Sequence, residues 1–171
     1  RYRETLARFI KRIPMVAAGR MDIPNCYQIY IDHMEAMRMA VRHLLTLGHK
    51  RIAFLHGYSY IYQTQDKLAA LRAIMAENNL PLREEYILDV GEFSELGGLT
   101  GMKRLLSLAE PPTAVVAIND LVAAGALQAI LRLGYAVPSD FSIVGFDDSL
   151  ITDLTEPNIS SIHYDYSLYG K

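Results

Sequence analysis

Ser142-Ile143-Val144-Gly145-Phe146-Asp147-Asp148 is a β-prone apolar run that ends abruptly in two carboxylates. Turn signals bound it, Pro138-Ser139-Asp140 before and Asp147-Asp148-Ser149 after, as expected of a fully covered strand in a parallel sheet. In open α/β sheets, small molecules bind beyond the carboxyl ends of the strands. The run therefore reads as a buried strand delivering acids to a crevice, provided the rest of the chain builds the sheet.

Taken in order, the chain meets that condition. Residues 1–12 read as the end of a helix with Leu6, Phe9 and Ile10 on one face, and 13–18 as a strand opened by Ile13-Pro14. A loop through Asp22, Pro24 and Asn25 leads to a short strand over 27–31. Asp32 is placed to cap a helix whose stripe is Met34, Met37, Val41, Leu44 and Leu45, and Gly48 to close it. A strand over 51–56 precedes a helix with Leu68, Leu71, Ile74 and Met75 inward. A strand over 86–90 precedes one carrying Leu96, Leu99, Met102, Leu105 and Leu106. A strand over 113–118 ends on Asn119-Asp120, and a helix to about Leu133 leads into the opening run. Strands alternating with helices of three to four turns predict an α/β fold, a Rossmann-like parallel sheet with helices on both faces. His56-Gly57, Asn119-Asp120 and Asp147-Asp148 then share one rim.

Composition narrows the function classes. With 171 residues, 51% of them hydrophobic, the chain buries a real core. A net charge of -2 and a pI near 6.2 supply no basic footprint for nucleic acid. No apolar run approaches the ~20 residues of a membrane-spanning helix, and Arg1-Tyr2-Arg3-Glu4-Thr5 leads into no signal-peptide core. The single cysteine, Cys26, excludes an intramolecular disulfide and is compatible with a reducing cytoplasm. The chain starts without Met and ends on Gly170-Lys171, from which a fragment of a longer protein is expected.

Five stretches, in this order, resemble the lactose repressor and galactose repressor family of bacterial transcription regulators in its effector-binding core. They are Ile13-Pro14, Leu47 to Phe54, Pro112 to Asp120, Gly134 to Asp140 running into Ser142 to Asp148, and Ile159 to Ile162 with Asp165 and Tyr166 beyond. The resemblance implies two Rossmann-like lobes of the periplasmic-binding-protein type, joined by crossovers, with a small effector held between them. It implies crossovers near 30–33 and 162–165, so that 1–32 is the end of the N-terminal lobe and the first crossover. Residues 33–162 are then the C-terminal effector-binding lobe, and 163–171 the second crossover and the return. The helix-turn-helix head that reads operator DNA, and most of the first lobe, are implied to lie outside this sequence. No cofactor is implied.

Asp147 is the first candidate effector residue, because a carboxylate at a strand end accepts hydrogen bonds from vicinal hydroxyls and the family uses this position; the alternative is a turn acid. Asp148 reads as a cap of the following turn. Asn119 offers donor and acceptor at the neighbouring strand end, and Asp120 reads as the cap of the helix after it. The sequence departs from the family at Lys67-Leu68-Ala69-Ala70-Leu71, where an arginine is usual. Lys67 keeps the charge without the planar fork, and is either an effector contact or a solvated helix lysine. Gln65 is placed to supply part of the lost hydrogen bonding. Tyr58, Tyr60 and Tyr62 share a loop, and Tyr166 matches a family position whose ring flanks the sugar. Gly19-Arg20 replaces a family acid, and Arg20 is either a contact for an anionic effector or an exposed arginine.

Other motifs fail. Gly97 to Lys103 lacks phosphate-loop spacing, the five histidines form no i, i+4 pair around an acid, and no serine has nucleophile-elbow glycines. The expectation is a non-enzymatic, cytoplasmic, DNA-linked repressor core that binds a sugar, sugar phosphate or nucleobase. The alternative is a periplasmic sugar-binding protein. The resemblance also implies a homodimer, through Val122, Ala123 and Ala126 on the small-residue helix and Leu150 and Leu154 after the opening strand.

Overall fold

Five apolar runs pair side by side in parallel, because helical crossovers return the chain to the same edge each time. The structure, a computed structural model, describes residues 2–10, 12–20 and 23–170. Arg1, Asp22 and Lys171, named above, lie outside the described residues. The chain divides into two compact units, Arg1–Asp32 with Asp165–Lys171, and His33–Tyr164.

The first unit holds helix α1 (Tyr2–Ile10) and a parallel pair of short strands, β1 (Val16–Ala18) and β2 (Tyr27–Ile29), with Val16 opposite Tyr27. Both strands are shorter than their apolar runs. The 3-10 turn Tyr166–Gly170 also belongs to this unit.

The second unit runs α2 (His33–Thr46), β3 (Ile52–His56), α3 (Tyr62–Glu77), β4 (Ile87–Asp89), α4 (Glu95–Leu106), β5 (Ala114–Ala117), α5 (Asp120–Arg132), β6 (Ser142–Phe146), α6 (Ile151–Leu154) and β7 (Ser160–Ile162). Its sheet is ordered β4-β3-β5-β6-β7, all parallel, as the alternation predicts. Residue for residue, β3, β5 and β6 are buried along their whole length, which is why they read as unbroken apolar runs. α2 packs on α3 and α4 on α5. Three of the helices close alike: Gly48, Asn79 and Gly134 take positive φ, and the next residue's N–H reaches back to Leu44, Met75 and Ile130 respectively.

The α4–α5 seam differs from the sequence reading. A Cβ on Gly98 would lie 2.0 Å from the Val122 carbonyl, and one on Gly125 1.9 Å from that of Glu95. The two backbones therefore touch, and the inward face of α4 is Gly97, Gly98, Gly101, Met102 and Leu105. Leu96 is turned out and 69% exposed, although its spacing from Leu99 places it inward. The same seam corrects the interface expectation for α5. Val122, Ala123 and Ala126 are fully buried under α4 and β6 of their own unit, so no second subunit reaches them.

Candidate functional site

β6 ends where the reading of the opening stretch puts it, and Asp147 follows directly. Its N–H donates to Ile162 O at 3.1 Å, one step beyond the β6–β7 ladder. From there the backbone leaves the strand through two left-handed residues, Asp147 at φ +99° and Asp148 at φ +51°. Each such conformation in a non-glycine residue costs on the order of 1 kcal/mol and persists only where the surroundings impose it. Asp147 is half-buried. The Asp148 side chain does not cap the turn: it is exposed and pairs with His163 Nδ1 at 2.9 Å, while its N–H donates to Ser161 Oγ.

Asp120 braces both flanks of that turn. The cap of α5 is Asn119, whose Oδ1 accepts the Val122 N–H at 3.0 Å, so Asp120 stands one residue inside the helix instead of capping it. Its carboxylate is 1% exposed. Oδ2 accepts the Ser149 N–H at 2.7 Å and its hydroxyl at 2.9 Å, and Oδ1 accepts the Ser161 hydroxyl at 2.6 Å. A Cβ at Gly145 would come within 2.3 Å of Asp120 Oδ1, so the carboxylate fills the space a side chain would need. A buried carboxylate is tolerable here because three donors and the positive end of α5 meet it.

Lys67 is the largest departure from sequence expectation. It is no solvated lysine: its side chain is fully buried, Nζ donates to Ile118 O at 3.0 Å, and the ammonium lies 3.3 Å from the centroid of the Phe146 ring and 6.0 Å from that of Tyr164. Phe146 and Tyr164 stack at 6.2 Å. Burial pushes the Lys67 ammonium down to about 7, and the carboxylates of Asp147 and Asp120 pull in the opposite direction. A lysine, two acids and two aromatic rings thus meet beneath one strand end. Sequence reasoning missed Phe146 and Tyr164; the signal was the position of Phe146 next to Asp147, which sends its ring to the other face of the sheet.

The remaining candidates spread out. Gln65 Nε2 donates to Ser59 O at 3.2 Å, tying its own loop. Tyr58 is 39% and Tyr60 75% exposed, with ring centroids 5.5 Å apart, and Phe93 packs edge-on to Tyr58. Arg20 and Tyr166 are exposed and belong to the first unit. Residues 57–66, 90–97, 118–121 and 147–151, which follow four of the strand ends, contain no lysine or arginine but hold Asp66, Glu92, Glu95, Asp120, Asp147 and Asp148.

The opposite end of the sheet is built differently. There His49 bridges Thr113 and Ser142, at 3.0 Å through Nδ1 and 2.8 Å through Nε2. Burial and the neighbouring His43 hold its pKa below the usual histidine range. A cavity of about 160 Å³ lies at that end, lined by Leu44, Leu127, Pro138, Pro157 and neighbours, with no carboxylate in its wall. Cavity and acidic cluster are therefore at opposite ends, and the cluster carries the recognisable chemistry. Among the described residues, no group of His, Cys, Asp and Glu could hold a metal ion, and no helix is long and apolar enough to cross a membrane.

Residues 41–171 match the family described as the periplasmic binding protein-like domain. The chain is 32% identical over 153 residues to the probable HTH-type transcriptional repressor ExuR of Bacillus subtilis, covering 89% of this chain and 46% of that one. Its structure superposes on that of a LacI-family regulatory protein from Chloroflexus aggregans with a TM-score of 0.85 at 31% identity, covering 92% and 57% of the two chains. A sugar-binding LacI-family regulator of Escherichia coli, solved with phosphate, gives 0.83 at 32% identity, covering 92% and 58%. The chain spans about half the length of the relatives it matches, and those relatives are transcriptional regulators, not enzymes. This chain thus belongs to the periplasmic binding protein-like domain family, in the form carried by repressors of the lactose repressor/galactose repressor type.

Proposed function

We propose that this chain is the effector-binding core of a DNA-binding transcription regulator, and that its effector is an uncharged, hydroxyl-rich small molecule gripped by Asp147 and Asn119. The observation that carries the reading is the pairing of these two groups at adjacent strand ends. An ionised carboxylate only accepts hydrogen bonds. Asn119 has committed Oδ1 to its helix, so what it offers a ligand is its Nδ2 donors. A hydroxyl group satisfies both, donating to Asp147 and accepting from Asn119. A phosphate or carboxylate is repelled by Asp147, and Lys67, the lysine electrostatically coupled to Asp147, is already engaged with Ile118 O and the Phe146 ring. Of the three effector classes, a neutral sugar is therefore favoured over a sugar phosphate, and over a nucleobase, which lacks vicinal hydroxyls.

Thermal-shift measurements on the protein with both lobes, in the presence of D-galactose, D-glucose, D-ribose, glucose 6-phosphate, D-galacturonate or adenine, test this. A neutral sugar at about a hundred times its Kd stabilises by about 2.7 kcal/mol, and Asp147→Ala abolishes the shift. A shift that survives Asp147→Ala removes Asp147 from the site, and preference for the anionic sugars refutes the effector class.

In this reading the His33–Tyr164 unit is the C-terminal lobe, and the other unit holds the end of the first lobe with the crossovers. Operator DNA is read by a head outside this sequence, in the cytoplasm. Homodimers form through Leu150 and Leu154, which are 72% and 73% exposed. Sedimentation of Leu150→Asp should show monomers where the unsubstituted chain is dimeric; a chain already monomeric refutes the interface.

A further inference from the structure

We propose that Asp120 is a positioning residue that ties the Asp147 strand end to the segment Ser149–Leu154, so that a change at Asp147 is felt at Leu150 and Leu154. The proposal rests on the reading of Asp147 as the ligand-binding acid, and goes beyond it by naming the route from that acid to the surface.

The connection is short and made of hydrogen bonds already described. Asp120 holds both flanks of the left-handed Asp147-Asp148 turn: Ser149 on the chain that follows, through two bonds to Oδ2, and Ser161 on β7, through Oδ1. Ser161 in turn accepts the Asp148 N–H at 3.0 Å. The turn is thus enclosed in a ring of bonds that closes on one carboxylate. Ser149 then passes the constraint on. Its carbonyl accepts both the N–H and the hydroxyl of Thr152, at 3.0 and 2.9 Å, and the Thr152 carbonyl accepts the Ile159 N–H. α6, which carries Leu154, hangs from this point, and Leu150 stands between Ser149 and the helix.

Two further features show a built clamp. Gly145 leaves the space that Asp120 Oδ1 occupies, and Asp120 itself is buried to 1% although it is an acid in the first turn of a helix, where exposure is the rule. Two consecutive non-glycine residues at positive φ do not hold themselves; only contacts from outside the turn hold them. The turn's N–H groups are held by Ile162 O and Ser161 Oγ, and the carboxylate that holds Ser161 is also the one that anchors α6 through Ser149.

Hydrogen–deuterium exchange on the full chain, without any ligand, tests the coupling. Asp147→Asn is the perturbation and the amides of residues 149–154 are the readout. The expected result is a change of roughly tenfold in their exchange rates, the size of one altered hydrogen bond, with the β3 and β5 amides unmoved. In a Ser161→Ala or Asp120→Asn background the same substitution should produce no further change, because the link is already cut. Ser161→Thr, which keeps the hydroxyl, should restore the response. If Asp120→Asn does not fold, the Ser161 pair alone decides. Additive effects of Asp147→Asn and Ser161→Ala, or a response that Ser161→Thr fails to restore, overturn the proposal. The sugar panel reports separately on Asp147 as a ligand-binding acid, so loss of one reading is distinguishable from loss of the other.

Discussion

The two ends of the five-stranded sheet join the same strands by opposite means. At the amino ends a neutral histidine, His49, links the hydroxyls of Thr113 and Ser142. At the carboxyl ends, Asp120, Asp147 and Lys67 meet beneath a backbone that turns left-handed twice. The first arrangement closes the fold with groups that carry no charge in their bonded form. The second buries charge and strained backbone, features that a fold does not need for itself and that cluster where ligands bind. Identical strands thus carry a neutral, bridged end and a charged, strained end, and the second is where the proposed effector site lies.

The strongest way to break this comparison is to remove Asp120. Asp120→Ala leaves two serine side chains and a backbone N–H without their acceptor, and Lys67 with one nearby acid, Asp147, in place of two. It should destabilise the chain by about 3 kcal/mol, a fall of about 6–12 °C in Tm by calorimetry. A loss no larger than that of His49→Ala would erase the difference between the ends.

Next is the pH dependence of the charged end. The folded pKa of Lys67, about 7, lies below its unfolded value, so the unfolded chain binds more protons between these values. Lys67 should therefore make stability rise as pH climbs from about 7 toward 10, and lost again as pH falls through that window. Lys67→Met should flatten that rise in denaturant titrations; an unchanged slope would mean that the ammonium is hydrated after all.

At the neutral end His49→Ala removes two hydrogen bonds and should cost about 1–2 kcal/mol. Because the His49 pKa is lowered on folding, its contribution is present above about pH 6.5 and lost as pH falls below it. Urea midpoints at pH 7.5 and 5.5 should differ less in His49→Ala than in the unsubstituted chain. The smallest effect belongs to Asp148→Gly. It relieves a left-handed residue and gives up an exposed pair with His163, so stability should change by less than about 1 kcal/mol. A larger loss would place Asp148 with Asp120 among the residues that hold the turn.

Much of this was legible before any coordinates. The alternation of apolar runs and helical stripes predicts the parallel sheet, and the abrupt end of the Ser142–Phe146 run puts Asp147 at a strand tip. What misled was local likeness. Asn119 and Asp120 are both good caps, and adjacency does not say which one caps and which is freed for other bonds. Periodicity weighs large residues, so it turned Leu96 inward, whereas glycines, which no hydropathy pattern marks, form the true seam of α4 with α5. The small residues of α5 read as a surface for a partner for the same reason, when the close neighbour is the chain's own helix.

The sequence by itself determined the α/β class, the family likeness, the strand order of chemistry along the chain, and an acid at the end of β6. Only the tertiary structure decided that Lys67 is buried, that Asp120 is a clamp and that Val122, Ala123 and Ala126 are core. The physical reason is separation along the chain. Lys67 meets its carbonyl 51 residues away, and Asp120 its serines at 29 and 41 residues, so no local pattern of hydropathy or capping propensity registers those contacts. The strands are encoded by their own residues, whereas the state of the charges beneath Asp147 is a property of the packing that brings them together.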